Sequence, residues 1–418
     1  MLDIREIRKN PDSTISDLTR RYPNAKEEIL DILALDAKYL LALKAVETAR
    51  TNRNKAAKEI GQKRKQNEDT SALIAEQAQA NIALVAEEEN LTTLAEKLNN
   101  KLLCIPNVPQ KSVPDGISSD QNKIVKVVGI PGARTPPHWD IGKTLELFDI
   151  QRGTKLSGSG FIVFTGQGAR LERALIQFFL DTNILNGYTE VSVPHIVKAE
   201  CMTGTGQLPK FQEDMYRTSE NEYLIPTAEV PITNLHRHEI IPKLPLKYVG
   251  HTPCFRREAG SAGKDTRGLL RVHQFDKVEL VQFVEPSFST QAHYEMLGHI
   301  EVLLDKLELT YRVVELCAGD LGFGGAKCFD LEVWAPGVQA WLEVSSCTNF
   351  LDFQARRSNI KFKSEGTNLL CHTLNGSGLA LPRIFAALIE THLQPDGAVL
   401  LPSALRPFFG NDSIKLKR

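Results

Sequence analysis

Apolar residues near the start of the chain recur in alternating steps of three and four: Ile32, Leu35, Tyr39, Ala42, Val46, Ala49, Arg53, Ala56 and Ile60, with Arg53 the one polar member. No proline or glycine interrupts the stretch between Pro23 and Gly61. That spacing predicts a long helix with one narrow apolar seam, as in a coiled coil. Residues 61–70 (GQKRKQNEDT) are polar and read as a reversal. A second helix follows, with Leu73, Ala80, Leu84, Leu91, Leu94 and Leu98 at compatible spacing, ending near Pro106. The pair makes an antiparallel helical hairpin. It is too thin to enclose a core, so it is expected to project from a body. Residues 105–132 are rich in proline, glycine and polar side chains, with one short strand near 124–128. The expected division is 1–105, 106–132 and 133–418.

Beyond the linker the pattern changes. Residues 168–186 (GARLERALIQFFLDTNILN) form an apolar helix, with Leu171, Leu175, Phe178, Phe179 and Leu185 able to face a core. A turn at Gly187 leads into a strand with Val191 and Val193 on one face, and Pro194 fits a strand end or edge. Residues 202–217 look like loop. An apolar lead-in ends at Phe255, and a run from Leu269 to Gln282 alternates Leu270, Val272, Phe275, Val278 and Leu280, which predicts two strands joined by a long loop. A helix over 286–309, a strand over 311–316, a strand pair at 329–334 and 340–346, and an apolar helix after Pro382 complete the reading. The fold class is α+β: a helical hairpin plus a mixed domain with a largely antiparallel sheet.

Composition narrows the setting. At 418 residues the chain can hold two or three domains. Its 42% hydrophobic and 24% charged residues are ordinary for a globular protein. Seven scattered cysteines without a CxxC pair indicate neither a zinc ribbon nor a disulfide framework, so a reducing compartment fits and no zinc is expected. The N-terminus lacks the apolar core of a secretory signal, and no run approaches a membrane span. A cytoplasmic protein is expected. The net charge of −1 hides local polarity. The far end of the first helix carries Lys44, Arg50, Arg53, Lys55, Lys58, Lys63, Arg64 and Lys65, whereas the second carries Glu76, Glu87, Glu88, Glu89 and Glu96. Cross-helix pairing and contact with an RNA backbone both explain this asymmetry.

Several positions carry chemistry. Arg256, Arg257, Lys264, Arg267 and Arg271 flank or occupy the glycine-bearing loop with Gly260, Gly263 and Gly268. Guanidinium groups fork onto phosphoryl oxygens, so such a loop suits a phosphate-rich ligand, although a solvated surface hairpin has the same composition. Thr227 and Glu229, two apart, share a face if they lie on a strand, and together they suit an ammonium, or form a plain surface pair. Glu279 lies in the apolar run KVELVQF, where a carboxylate needs a partner. Glu343 and Ser346 offer oxygen ligands to a hard cation. His236 and His238 have no third metal ligand nearby and read as surface histidines. The glycine-rich 319–326 lacks both dinucleotide-binding and P-loop spacing.

Three blocks in order carry a resemblance. FRREAGSAGKDTRGLLRVHQF (255–275) resembles motif 2 of class II aminoacyl-tRNA synthetases, the seryl group in particular. The helix, glycine, strand and proline over 168–194 resemble motif 1, and LNGSGLALPRIFAALIE (374–390) resembles motif 3. The block YLIPTAEVP (223–231) is similar to the TxE element of seryl enzymes. The resemblance spans the whole chain. It implies a class II catalytic domain, a homodimer assembled through motif 1, and an arm that grips the long variable arm of tRNA(Ser). The activity implied is ATP-dependent activation of serine, with transfer to tRNA(Ser) and also to tRNA(Sec). By the same resemblance Arg256 and Arg383 are catalytic. Thr227, Ala228, Glu229, Glu279 and Ser377 hold serine. Arg256, Arg257, Glu258, Arg271, Val272, Phe275, Glu343, Val344, Ser345, Ser346 and Arg383 hold ATP, and Glu343 with Ser346 holds Mg²⁺.

Two features depart from the family pattern: Arg257 stands where a small residue is expected, and Leu381-Pro382 precedes Arg383. An amino-acid ligase charging a carrier protein would not need the basic arm. A non-catalytic RNA-binding relative would have lost Arg256, Glu258 or Arg383.

Overall fold

The computed structural model describes residues 1–258 and 267–416. Gly260, Gly263 and Lys264 lie outside the described residues. Two compact units emerge: 2–105, and Met1 with 106–418.

In the first unit, two short helices (Ile4–Lys9 and Pro11–Thr19) precede α1 (Ala25–Lys65) and α2 (Ser71–Cys104). These two are the hairpin. Ile32, Val46 and Ile60 of α1 and Leu84 and Leu98 of α2 are buried along the seam, while Arg53 is exposed. Helix α1 runs past Gly61 to Lys65, which shortens the polar reversal. Ala80 is exposed, and Gln77 takes the inward place, donating to the Arg53 carbonyl at 3.4 Å. Part of the charge asymmetry is cross-helix pairing, since Arg50 Nε sits 2.8 Å from Glu88; Lys101 of α2 and Asp31 of α1 pair in the opposite sense. Among the described residues no ion pair is recorded for Lys44, Lys55, Lys58, Arg64 or Lys65.

The second unit is built on an eight-stranded sheet. Its strands in chain order are β1 (Lys123–Val128), β2 (Thr189–Glu190), β3 (Leu246–Phe255), β4 (Gln274–Val284), β5 (Tyr311–Glu315), β6 (Lys327–Ala335), β7 (Ala340–Leu351) and β8 (His372–Ala380). The spatial order is β1-β5-β6-β7-β8-β4-β3-β2, antiparallel throughout except for the short parallel edge pair β2–β3. The helices that matter here are α3 (His138–Thr144), α4 (Gly166–Leu185), α5 (Glu229–Asn234), α6 (Ser289–Lys306) and α7 (Leu381–Thr391).

Strand periodicity decides what each face does. On β4, Val278 and Leu280 enter the main core with Leu175 and Phe179 of α4, Ile300 of α6 and Phe385 of α7. The odd positions Val281 and Phe283 enter a second core with Ala228 and Ile232. Between them, Phe275, Lys277 and Glu279 line open cavities. The site therefore occupies the stretch of that face which no apolar layer covers.

Some expected boundaries move. The strand predicted from Leu269 begins at Gln274. Met202 to Thr205, expected in a loop, lie in the helix Ala199–Thr205. Leu185, expected in the core, is 84% exposed beyond the packed face of α4.

Candidate active site

Two cavities lie side by side on the open sheet face. One, about 250 Å³, is lined by Arg256, Glu258, residues 269–272, Phe275, residues 343–345 and Arg383 among others. The second, about 280 Å³, is lined by Thr227, Glu229, Glu279, Ser346, Thr348 and Asn375 among others. Arg256, Lys277, Glu343 and Ser377 border both, so the two meet along one wall.

The first cavity is cationic with an aromatic floor. The Arg256 guanidinium lies 5.2 Å from the Phe275 ring centroid, and its Nε donates to the Pro226 carbonyl at 3.3 Å. Arg271 Nη1 donates to Glu258 at 2.7 Å, across a backbone whose Glu258 has φ +50. Arg383 stands at the start of α7, where Pro382 suits the first helical turn. Its Nε donates to the Leu270 carbonyl at 3.2 Å and its Nη1 to the Glu343 carbonyl at 2.7 Å. Three fixed guanidiniums beside an aromatic ring match a nucleoside polyphosphate.

The second cavity is acidic. Thr227 and Glu229 are not on a strand: Glu229 is the first residue of α5, and its N–H donates to Thr227 Oγ1 at 3.3 Å. The helix turn still brings both side chains to the cavity. Glu229 is buried and accepts from Gln354 at 2.6 Å. Burial first, and the Glu279 charge second, push its carboxyl up to about 7. Glu279 is fully buried, with Lys277 Nζ at 2.5 Å, Asn375 Nδ2 at 3.0 Å and Ser377 Oγ at 3.5 Å. The partner that a carboxylate in this apolar run needs is thus supplied by the protein itself.

Glu343 and Ser346 are three apart, and a regular strand would send them to opposite faces. The β6–β7 register slips here: Glu343 pairs with Glu332, whereas Ser345 pairs with Leu331 and Ser346 with Asp330. Val344 is the extra residue of a bulge, and the bulge returns both side chains to one face. Burial, and then the neighbouring Glu343, hold the Asp330 carboxyl well above the usual range. Oxygen donors crowded with like charge suit a hard divalent cation. Among the described residues no cluster of three His, Cys, Asp or Glu closes around a metal, so a bound cation would need further oxygens from a ligand.

Of the candidate residues, Ala228 and Arg257 line neither cavity. Ala228 is packed in the second core and Arg257 is exposed. His236 is half-buried, with Nδ1 2.9 Å from Glu239 and Nε2 3.0 Å from the Tyr248 hydroxyl. Sequence reasoning missed Lys277, Asn375, Gln354 and Asp330. The period-two spacing of Lys277 from Glu279 was the available signal.

The family model described as "Seryl-tRNA synthetase N-terminal domain" matches residues 1–109, and "tRNA synthetase class II core domain (G, H, P, S and T)" matches residues 210–392. The serine–tRNA ligase of Methylacidiphilum infernorum is 50% identical, over 98% of this chain and 99% of that relative.

The chain belongs to the seryl-tRNA synthetase family.

Solved structures agree. The seryl-tRNA synthetase of Pyrococcus horikoshii, complexed with ATP, superposes with a TM-score of 0.92 at 36% identity, covering 100% of both chains. The cytoplasmic serine–tRNA ligase of Naegleria fowleri, in complex with AMP, gives 0.88 at 28% identity, covering 100% of this chain and 99% of that one. Membership gives the cavities their context. The arginine-rich cleft and the carboxylate niche of this chain share Arg256.

Proposed function

We propose that the chain is a serine–tRNA ligase that activates serine with ATP and transfers it to tRNA(Ser). The observation that carries this reading is the shared wall: a polyphosphate-binding cleft and a small acidic niche meet at Arg256, Lys277, Glu343 and Ser377. A carboxylate held in the niche beside Arg256 is in place to attack the α-phosphorus of ATP. Its oxygen forms the new P–O bond, the bond to the β-phosphate breaks, and pyrophosphate leaves. A terminal ribose hydroxyl of the tRNA then takes the seryl group and AMP departs.

Positioning and fixed charge supply the catalysis. Arg256 spans the α-phosphate and the substrate carboxylate. Arg271 and Arg383 meet the outer phosphates, Phe275 stacks the base, and Glu258 receives the adenine amino group. Thr227 and Glu229 take the ammonium, and Glu279 with Ser377 takes the hydroxyl. Val272, Val344 and Ser345 form walls of the cleft. Arg257 and Ala228 act through backbone and packing in this scheme. Glu343 and Ser346, with Asp330 behind them, would hold Mg²⁺, which neutralises charge on the phosphates when bound.

Rejection of alanine belongs to the same reading, because alanine brings no hydroxyl to the Glu279 and Ser377 end of the niche. The exposed Lys55, Lys58, Arg64 and Lys65 near the arm tip, without an ion pair among the described residues, support backbone contact with the tRNA's long variable arm, read by shape. Charging of tRNA(Sec) and a cytoplasmic setting belong to the same proposal. Homodimerisation does too, and exposed Ile184 and Leu185 at the end of the motif 1 helix support it. The division into an arm (1–105), a linker (106–132) and a catalytic domain (133–418) is the working scheme.

ATP–pyrophosphate exchange measured across the amino acids, followed by charging of total tRNA, tests the proposal. Exchange that depends on serine is the expected result. Exchange driven equally by threonine or alanine, or absent with every amino acid, refutes it.

A further inference from the structure

His138 opens α3 with its side chain fully buried against Glu390 of α7, which is also fully buried. Glu390 Oε1 accepts from the His138 backbone N–H at 2.7 Å and faces the ring Nδ1 at 2.7 Å. Its Oε2 accepts from the Gly337 N–H at 2.8 Å, in the turn between β6 and β7. On the opposite side of the ring, Nε2 lies 3.0 Å from the Leu269 backbone nitrogen. A backbone amide only donates, so Nε2 presents its lone pair. Nδ1 therefore carries the proton and donates it to Glu390. Every polar atom of the pair is used.

Leu269 begins the strip 269–272, which lines the nucleotide cleft yet belongs to no strand. The hydrogen bond from Leu269 to His138 ties down one end. The Arg383 bond to the Leu270 carbonyl and the Arg271 pair with Glu258 hang from the same strip. At the far end the His273 N–H donates to the Gly160 carbonyl at 2.8 Å. Gly268 permits the close approach: its φ is +72, and a Cβ there would stand 2.2 Å from His138 Nε2.

We propose that His138, oriented by Glu390, is a positioning residue for the nucleotide step: its Nε2 fixes Leu269 and thereby sets where Arg271 and Arg383 meet the phosphates. The proposal rests on the ligase reading above. Helix α7 carries both Arg383 and Glu390, so one rigid element places a phosphate contact and, through His138, the strip facing it. Displacement of a phosphate-binding group by about 1 Å is enough to cost catalysis up to roughly 100-fold.

Two substitutions separate positioning from packing. In His138→Asn the amide nitrogen falls near the place of Nδ1 and keeps the Glu390 bond, but nothing reaches Leu269. In His138→Gln the amide falls near the place of Nε2, and its oxygen accepts from Leu269. The full chain is assayed by ATP–pyrophosphate exchange, titrating ATP and serine separately, with thermal melting alongside. The expected result for His138→Asn is a loss of roughly 10- to 100-fold in kcat/KM for ATP, with the serine KM unchanged. His138→Gln should recover most of it. Gly268→Ala, which crowds Nε2 on the Leu269 side while the chain keeps both His138 and Glu390, should show the same ATP-selective loss; it decides the matter if His138→Asn does not fold. If wild-type protein shows no serine-dependent exchange, the ligase reading has failed. If wild type exchanges normally and the variants keep wild-type ATP kinetics, or lose both substrates equally in step with their melting temperatures, His138 is a packing residue and the proposal is overturned.

Discussion

Glu279→Gln is the sharpest perturbation of the serine niche. The substitution keeps the size of the side chain and one acceptor oxygen and removes one negative charge. In the structure that charge faces Lys277 at 2.5 Å and accepts from Asn375 at 3.0 Å. Two consequences follow. A hydroxyl donated to a carboxylate contributes about 1.5–3 kcal/mol, against about 0.5–1.5 kcal/mol for a neutral acceptor. The two ranges differ by about 1–1.5 kcal/mol, so the serine KM should rise roughly 5- to 12-fold, because each 1.4 kcal/mol is a factor of about ten. Discrimination against alanine should shrink by a similar factor. ATP binding should change little, since the nucleotide cleft keeps its three arginines. The second consequence concerns the neighbour. The Glu279 charge is the second cause, after burial, of the raised pKa of Glu229. Neutralising position 279 should move the pH midpoint of serine binding below its wild-type value. The assay is serine-dependent pyrophosphate exchange from pH 5.5 to 8.5, with ATP affinity measured independently by calorimetry. A variant with a wild-type serine KM and unchanged serine-over-alanine preference would remove Glu279 from the niche.

Three further outcomes are expected. Glu229 must be ionised to hold an ammonium, and its carboxyl sits near 7 before substrate arrives. Serine affinity should accordingly be full above that value and fall as the pH drops through it, up to about tenfold per unit; in Glu229→Gln serine binds weakly at every pH, and a wild-type pH profile in that variant contradicts the assignment. Replacing Lys55 and Lys58 on α1 by alanine should weaken tRNA binding and reduce the log–log salt slope by about 0.7–0.9 per lost phosphate contact, leaving pyrophosphate exchange untouched, which filter binding at several salt concentrations will check. Gly168→Ala in the first turn of α4 would bring a Cβ to 1.9 Å from the Leu147 carbonyl oxygen, so backbone must shift; the expected cost is about 1–3 kcal/mol, read as a lowered denaturation midpoint.

Much of this was legible in the residue order, for physical reasons. A seam of period 3.5 has few other solutions than a helical hairpin, and α1 and α2 follow it almost residue for residue. The arginines of the nucleotide cleft stood out as a basic, glycine-bearing loop between two strands, and the resemblance to motifs 2 and 3 separates that reading from a surface hairpin. What stayed hidden depends on contacts between distant segments. Thr227 and Glu229 read as a strand pair because a two-residue spacing looks the same in a strand and in a turn that enters a helix; packing of Ala228 and Ile232 against β4 settles the matter in favour of α5. Lys277 has the spacing of an ordinary polar position of an alternating strand, and only its contact with Glu279 gives it a part in the site. Asp330 was overlooked because its significance comes from the strand opposite. Leu185 counted as core because periodicity marks a face of a helix without saying how far along that face the neighbours extend.

Val344 carries a consequence of its own. The cation ligands proposed above, Glu343 and Ser346, owe their common orientation to one surplus residue, so the way the strand carries that residue matters as much as their identity. Straighten β7 at its present length and one of the two oxygen ligands turns to the wrong side; remove Val344 together with the bulge and the two stand two apart, on one face of a regular ladder. A redesign that straightened the strand at constant length for tidier pairing would therefore yield a well-folded protein with its two oxygen ligands parted.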